Sequence, residues 1–363
     1  MKVWIDISNA PHVHFFKDLI REIKAKVIVT TRKFDSVPEI LNLNNIEYTV
    51  IGNHGGSDVK EKLIASSKRI LELTEFIADQ DVDLAVFKHS VEAPRVAYGL
   101  QIPSICVVDN EHGVAQNKLM LPLSTKVVAP KCIPTQEITQ FGVKKENLIQ
   151  FNGICELAHV RNFTPDPKVL TQLGLDPDKT IVVMRPEPAK ANYFNGDRKK
   201  TIIKKILQNN TFDQCVVFPR FEEQKKVLQF PHTVIPTKAV DALSLMHYTD
   251  LVISAGGSMN REAICVGTPA ISTYPEKLLS VTKFLIDLGL KKHSLSIPEI
   301  FSYAKEFMAD TTYRKKASAI LNQMENPTDV LLREIILNVC VTFILLRNKL
   351  YHEPGRGARC LQN

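Results

Sequence analysis

Short, continuous apolar runs alternate with longer amphipathic stretches from residue 2 onward, and few folds accept that pattern. In the first half the strand candidates are Val3–Ile7, Lys26–Thr30, Glu47–Ile51, Asp83–Phe87, Ser104–Val108, Lys126–Ala129 and Leu148–Phe151. Helical patterns lie between them, such as His14–Lys24, Val59–Ala78 and Val91–Gly99. A strand that is apolar at every position is buried on both faces, and helices between such strands can cover both faces of a parallel sheet. Residues 152–179 break the pattern with Gly153, Pro165, Pro167, Gly174 and Pro177, and read as a linker with a short helix around Val169–Leu173. A second series follows: Thr180–Met184, Cys215–Phe218, Thr233–Ile235, Leu251–Ser254 and Pro269–Ser272, with helices at Arg198–Gln208, Ala239–His247 and Asn260–Val266. After residue 290 the pattern is helical, at Pro298–Met308, Thr311–Met324 and Asp329–Leu346.

The expected fold is therefore α/β, with two doubly wound, Rossmann-like halves whose parallel sheets face a common cleft. The first domain is expected over residues 1–155, a linker over 156–178, the second domain over 179–326, a C-terminal helix over 327–350 and a disordered tail over 351–363. Ligands of such sheets bind beyond the carboxyl ends of the strands, so the cleft is the natural site.

At 363 residues the chain is long enough for two cores, and 44% hydrophobic with 23% charged residues is the balance of a water-soluble protein. Of the net +7, +3 sits in residues 347–363, where Arg347, Lys349, Arg356 and Arg359 face only Glu353. A basic excess admits nucleic acid, an anionic membrane or phosphorylated substrates. No basic stripe with interleaved aromatics is present, which argues against nucleic acid. The seven cysteines are scattered, none spaced C-x-x-C, and several lie in apolar runs, so reduced buried thiols in a cytoplasmic protein are expected. No Cys/His cluster has zinc spacing, and no metal is expected. The chain enters a strand at once, without a signal peptide, and its longest near-apolar run, Ile335 to Leu346, is 12 residues, short of a membrane span.

The most informative segment is Asp250-Leu-Val-Ile-Ser-Ala-Gly-Gly-Ser-Met-Asn-Arg-Glu-Ala-Ile-Cys-Val-Gly-Thr-Pro-Ala-Ile-Ser272. A buried strand reaches Gly256 and Gly257, which let the backbone turn sharply and approach a ligand. Ser258 or a neighbour caps the next helix, on which Asn260 and Glu262 lie, and Gly267 stops it. A Gly-Gly turn into a helix N-terminus welcomes an anion such as a diphosphate. Glu262 is either a carboxylate for a ribose diol or an acid favoured only by the helix dipole. Two other strand ends contribute cations: Arg185 in Ile181-Val-Val-Met-Arg-Pro-Glu-Pro188, and Arg220 in Phe218-Pro-Arg-Phe-Glu-Glu-Gln224. Each is a diphosphate contact or a surface arginine.

In the first half, Asp6-Ile-Ser-Asn-Ala-Pro-His-Val-His-Phe-Phe16 puts His12 and His14 where the first strand hands over to its helix, on the cleft side. Either is a candidate general base or a packed helix histidine. Asp109, Glu111 and His112 crowd the loop Val107 to Asn117 and could move a proton. The loop Asn53-His-Gly-Gly-Ser-Asp58 could close on an acceptor. No Walker loop, G-x-G-x-x-G, nucleophile elbow or H-E-x-x-H is present, so kinase, dehydrogenase, serine hydrolase and zinc protease chemistry lack support.

The segment around Gly256 resembles the nucleotide-binding motif of GT-B enzymes, in particular the N-acetylglucosaminyltransferase that makes lipid II and the non-hydrolysing UDP-N-acetylglucosamine 2-epimerases. The resemblance implies that Gly256, Gly257 and Ser258 hold a diphosphate and Glu262 a ribose. It also implies that His12 matches a histidine of the transferase. The loop with Asp109 and Glu111 is similar to an acid-containing loop of both families, and Arg185 lies in a loose match to an epimerase His-Arg element that lacks the histidine. The opening Trp4 to Phe16 resembles domain of unknown function 354, an archaeal and bacterial family grouped with GT-B proteins, over about residues 1–330. One departure is plain: residues 1–51 contain no glycine, so the glycine-rich loop of the lipid II-forming enzyme is missing, which argues against a lipid-diphosphate acceptor.

Three functions follow as expectations. The first is a metal-independent, GT-B type glycosyltransferase whose nucleotide sugar, UDP-linked, is substrate rather than cofactor and whose acceptor is unidentified. The second is an epimerase using the same nucleotide site and acids such as Glu111. The third is a non-catalytic nucleotide-sugar binder. The C-terminal helix either crosses back to the first domain or, with its basic flank, rests on an anionic membrane.

Overall fold

The computed structural model describes residues 1–34, 36–56, 58–187, 201–209 and 211–338. The expected tail, the end of the C-terminal helix and its basic flank, residues 188–200 and Ser57 of the Asn53–Asp58 loop lie outside the described residues.

Seven strands of the first half form one parallel sheet: β1 (Lys2–Ile7), β2 (Lys26–Lys33), β3 (Thr49–Asn53), β4 (Leu84–Lys88), β5 (Ser104–Val107), β6 (Lys126–Pro130) and β7 (Leu148–Phe151). Their spatial order is β3-β2-β1-β4-β5-β6-β7. Six strands of the second half form another: β8 (Ile181–Arg185), β9 (Gln214–Val217), β10 (Thr233–Val234), β11 (Leu251–Ser254), β12 (Ala270–Ser272) and β13 (Lys291–His293), in the order β10-β9-β8-β11-β12-β13. Among the described residues all strand pairs are parallel. β4, β5, β8 and β11 are buried at nearly every position, as unbroken apolar runs in a sheet covered on both faces must be.

The strand order reverses between β1 and β4 in the first sheet and between β8 and β11 in the second. At such a point the flanking loops diverge to opposite faces and leave a crevice at the carboxyl edge. The segments following β1 and β4, and those following β8 and β11, are therefore the ones that build a site.

β13 corrects the reading that the chain is helical after residue 290. Its Lys-Lys-His sequence has no apolar run, and it is a three-residue edge strand held by β12 alone. The helix of residues 327–338 returns to the first half: Val330, Leu331 and Ile335 join the core that contains Val3, Ile5 and Val86, and Glu334 pairs with Lys126 at 2.8 Å.

One buried ion network fixes the β1 end. Asp6 accepts from Arg69 Nη2 at 2.6 Å, Thr30 Oγ1 at 2.6 Å and Ser90 Oγ at 2.7 Å. Arg69 comes from the helix Val59–Ala78 and also reaches Glu92 at 3.2 Å. Burial would raise the Asp6 carboxyl, but Arg69 and the hydroxyls hold it below its usual range. Gly52 has φ +75, and a Cβ there would lie 2.8 Å from Arg69 Cγ, so glycine is required on two counts.

Candidate functional site

The helix Gly257–Cys265 starts at the switch point of the second sheet. Its N-cap is Gly256, with no side-chain cap, so Ser258 stands inside the first turn and is not the cap. The absence of a side chain leaves room for the neighbours: a Cβ on Gly256 would meet Arg220 Nη2 at 3.1 Å, Ser254 Oγ at 3.2 Å and Arg185 Cδ at 3.7 Å. Gly256, Gly257 and Ser258 are half-buried, neither sealed in the core nor capped. The first amides of a helix lack intrahelical partners and attract negative charge. Arg185, at the end of β8, and Arg220, whose Nε donates to the Pro186 carbonyl at 3.0 Å, stand beside this bend. The bend thus gathers two guanidinium groups and a free helix end.

Asn260 is placed differently from its neighbours. It is buried, and its Nδ2 donates to the Ser254 carbonyl at 2.8 Å, so it braces the bend from beneath instead of facing the groove.

Glu262 crosses to the other half through the linker. Its Oε1 lies 2.8 Å from His159 Nδ1, and the two belong to segments 103 residues apart. His159 in turn stands beside His14, with ring centroids 5.9 Å apart. Burial would raise the Glu262 carboxyl, but His159, His14 and Arg185 together lower it, so it is a carboxylate at neutral pH. His14 moves the other way: burial, then His159, bring it down to about 4, so it is a neutral imidazole at pH 7. His12 is only 5% exposed, its Nδ1 is 3.4 Å from Ser8 Oγ, and burial with Lys88 nearby pushes it well below the usual histidine range. Of the two, His14 is the more accessible.

The loop after β5 is tied to the first sheet and to the second. Asp109 lies 2.8 Å from both Lys88 Nζ and His89 Nε2, and 3.7 Å from Arg261 Nη2. Arg261 Nε lies 2.8 Å from Glu156 Oε2. Burial opposes charge on Asp109, but Lys88, His89 and Arg261 hold it well below its usual range, and Lys88 rises to about 12. Asp109 is therefore a fixed anion and a poor proton carrier. His89 reaches it from a left-handed backbone, φ +49, which is unfavourable outside glycine and persists where surrounding contacts enforce it. Glu111 also crosses between the halves: its Oε1 accepts from the Ser280 amide at 2.5 Å, at the start of the helix Ser280–Asp287. Its other oxygen, Oε2, is buried without a partner. His112 Nε2 is 4.0 Å from Oε1, and both residues border a groove of about 420 Å³ with Lys118, Glu137, Gln140 and Lys277.

The Asn53–Asp58 loop, of which Ser57 is not described, packs on the end of β2. His54 stacks on Phe34 with centroids 4.1 Å apart, and Asp58 caps the helix Val59–Ala78 through Glu61 N.

Reading the sequence missed His159, Arg261, Lys88, His89 and Glu156. Lys88 and His89 follow a recognisable strand end, and Arg261 sits next to Glu262, so position could have drawn attention to them. His159 lies in an irregular segment with no pattern at all. Among the described residues no group of three His, Cys, Asp or Glu is arranged to hold a metal ion, and no helix is long and apolar enough to cross a membrane.

Known structures share this architecture. The UDP-GlcNAc 2-epimerase of Neisseria meningitidis, bound to UDP-GlcNAc, is similar with a TM-score of 0.71 and 15% identity, covering 94% of this chain and 100% of that one. The UDP-GlcNAc 2-epimerase of Methanocaldococcus jannaschii matches with a TM-score of 0.67 and 14% identity, over 93% and 100% of the two chains. An Anabaena protein in complex with UDP and glucose matches with a TM-score of 0.64 and 16% identity, over 94% and 100%. The fold is thus GT-B. An uncharacterized protein of Methanocaldococcus jannaschii is 39% identical over 346 residues, 92% of this chain and 98% of its own. The family described as "Protein of unknown function (DUF354)" matches residues 1–340, and the chain belongs to that family.

Proposed function

We propose that this chain binds a UDP-sugar in the cleft and transfers the sugar to an acceptor hydroxyl. One observation carries the reading: an uncapped helix end at the second sheet's switch point lies beside Arg185 and Arg220, while Glu262 links it through His159 to the neutral His14. In this reading the diphosphate lies on the amides of Gly257 and Ser258, with Arg185 and Arg220 taking up its charge as the sugar departs. Glu262 accepts from the ribose diol, and His14 removes the acceptor proton. His12, deeper and almost enclosed, shapes the pocket beside it. Arg261 and Glu111 hold the two halves in register, so the nucleotide side and the acceptor side meet.

A second reading keeps the nucleotide site and makes the chain a 2-epimerase. It is favoured by Glu111, whose buried Oε2 has no partner, and by His112, which borders the same groove as Glu111.

Thermal unfolding against UDP-GlcNAc, UDP and other nucleoside diphosphates tests the shared part. At 100 times its Kd a ligand adds about 2.7 kcal/mol, a rise of several degrees. Glu262→Ala and Arg185→Ala should each abolish most of that rise. A UDP-independent melting point in the unaltered protein would sink both readings. Incubation with UDP-GlcNAc alone then separates them: conversion without acceptor identifies the epimerase, and strict acceptor dependence identifies the transferase.

A further inference from the structure

The helix Val59–Ala78 carries a surface that the cleft does not use. Val59, Leu63, Ile64 and Leu71 are 76%, 68%, 50% and 59% exposed, and no other described helix exposes more than two large apolar side chains. Its inward side is already occupied by Arg69, Leu73 and Ile77. The exposed positions Lys60, Ile64, Ser67, Leu71 and Ala78 are spaced four, three, four and seven residues apart. That spacing draws one straight stripe along a helix and is the seam by which two helices pack. Ser67, small and exposed at its middle, lets another backbone come close.

The charges say what kind of helix fits. The first half of the helix carries Lys60, Lys62 and Lys68 against Glu61 and the N-cap Asp58. Past the buried Arg69, the second half carries Glu72 and Glu75, with Asp79 as C-cap and no base in the last turn. A helix by itself prefers the reverse, with cations toward its carboxyl end. An antiparallel copy of the same helix removes the conflict, because the basic half of each lies along the acidic half of the other.

We propose that this stripe is the contact between two copies of the chain, related by a two-fold axis passing near Ser67 and Lys68. In that register Ile64 of one copy meets Leu71 of the other and Lys60 meets Glu75. Every contact occurs twice, and the assembly closes as a dimer. The cleft is not part of the interface, so the proposal stands independently of the function proposed above.

Light scattering coupled to gel filtration of the full chain at about 50 µM tests it, a concentration at which a micromolar dimer is populated. The unaltered protein should run as a dimer. Leu71→Glu should run as a monomer. Lys60→Glu should weaken association at least about tenfold, and adding Glu75→Lys to it should restore the dimer. All three positions are at the surface, so folding is not at stake. A monomeric unaltered protein, a dimer that survives Leu71→Glu, or a charge exchange that fails to restore association would each overturn the proposal.

Discussion

At the scale of the residue, His14 decides the protonation chemistry of the cleft. Burial and the neighbouring His159 bring it to about 4, whereas an exposed histidine titrates near 6.5. If it removes the acceptor proton, the acid limb of kcat/KM should fall near pH 4 to 5, well below the usual histidine limb. His14→Asn should then reduce kcat by roughly 10² to 10⁴ while leaving UDP affinity nearly unchanged. A limb at pH 6.5, or an unaffected kcat, would exclude this role. The same shift acts on stability. The unfolded chain takes up a proton on His14 as pH falls below 6.5, and the folded chain does so only near 4. Stability at neutral pH is therefore lost progressively over that interval, by on the order of 2 kcal/mol for this partly exposed group. Urea melts at pH 7 and pH 5 should show a smaller loss in His14→Asn. The residue itself was legible in the sequence as a histidine at a strand-to-helix handover. Its neutrality was not, because the burial that lowers it and the approach of His159 both come from distant parts of the chain.

At the scale of the element, the long helix Val59–Ala78 illustrates what local pattern can and cannot report. Its bounds follow from sequence alone, since Asp58 caps its first turn and apolar periodicity runs to Ala78. The burial of Arg69 in its middle does not, because the carboxylates that receive it belong to β1 and to the segment after β4. Arg69→Met would leave Asp6 and Glu92 buried without their cation and should cost about 3–5 kcal/mol, read as a lower urea midpoint. A change under 1 kcal/mol would mean that water replaces the guanidinium. β13 shows the opposite limit: three polar residues at a sheet edge carry no periodicity, and only pairing with β12 makes them a strand. The turn into the helix Gly257–Cys265 was legible in the sequence, but its cap was misassigned: the helix starts at Gly257, so Gly256 is the cap and Ser258 stands inside the first turn.

At the scale of the whole molecule, the two halves are joined by buried charge as well as by the linker. Arg261 projects from the second half to Asp109 of the first and to Glu156 between them. Glu111 returns the contact by accepting from the Ser280 amide. Breaking a buried pair strands the remaining charges, so Arg261→Ala should destabilise the chain by about 3–5 kcal/mol. The thermal midpoint should drop by roughly 6–20 °C. It should also weaken UDP binding, since Glu262 is the next residue on the same helix; unchanged affinity would show that the helix end keeps its place without the bridge.

The alternation of apolar runs and amphipathic helices already pointed to two parallel sheets, and the double glycine after an apolar run already marked a turn from strand to helix. Both are local matters: burial periodicity and backbone freedom are properties of neighbouring residues. The order of strands, the meeting of His159 with Glu262 across 103 positions, and the clasp of Arg261 by Asp109 and Glu156 were decided only by the folded chain. No local pattern encodes such pairs, because their attraction depends on a distance and a dry surrounding that exist only after both sheets have formed and closed on each other.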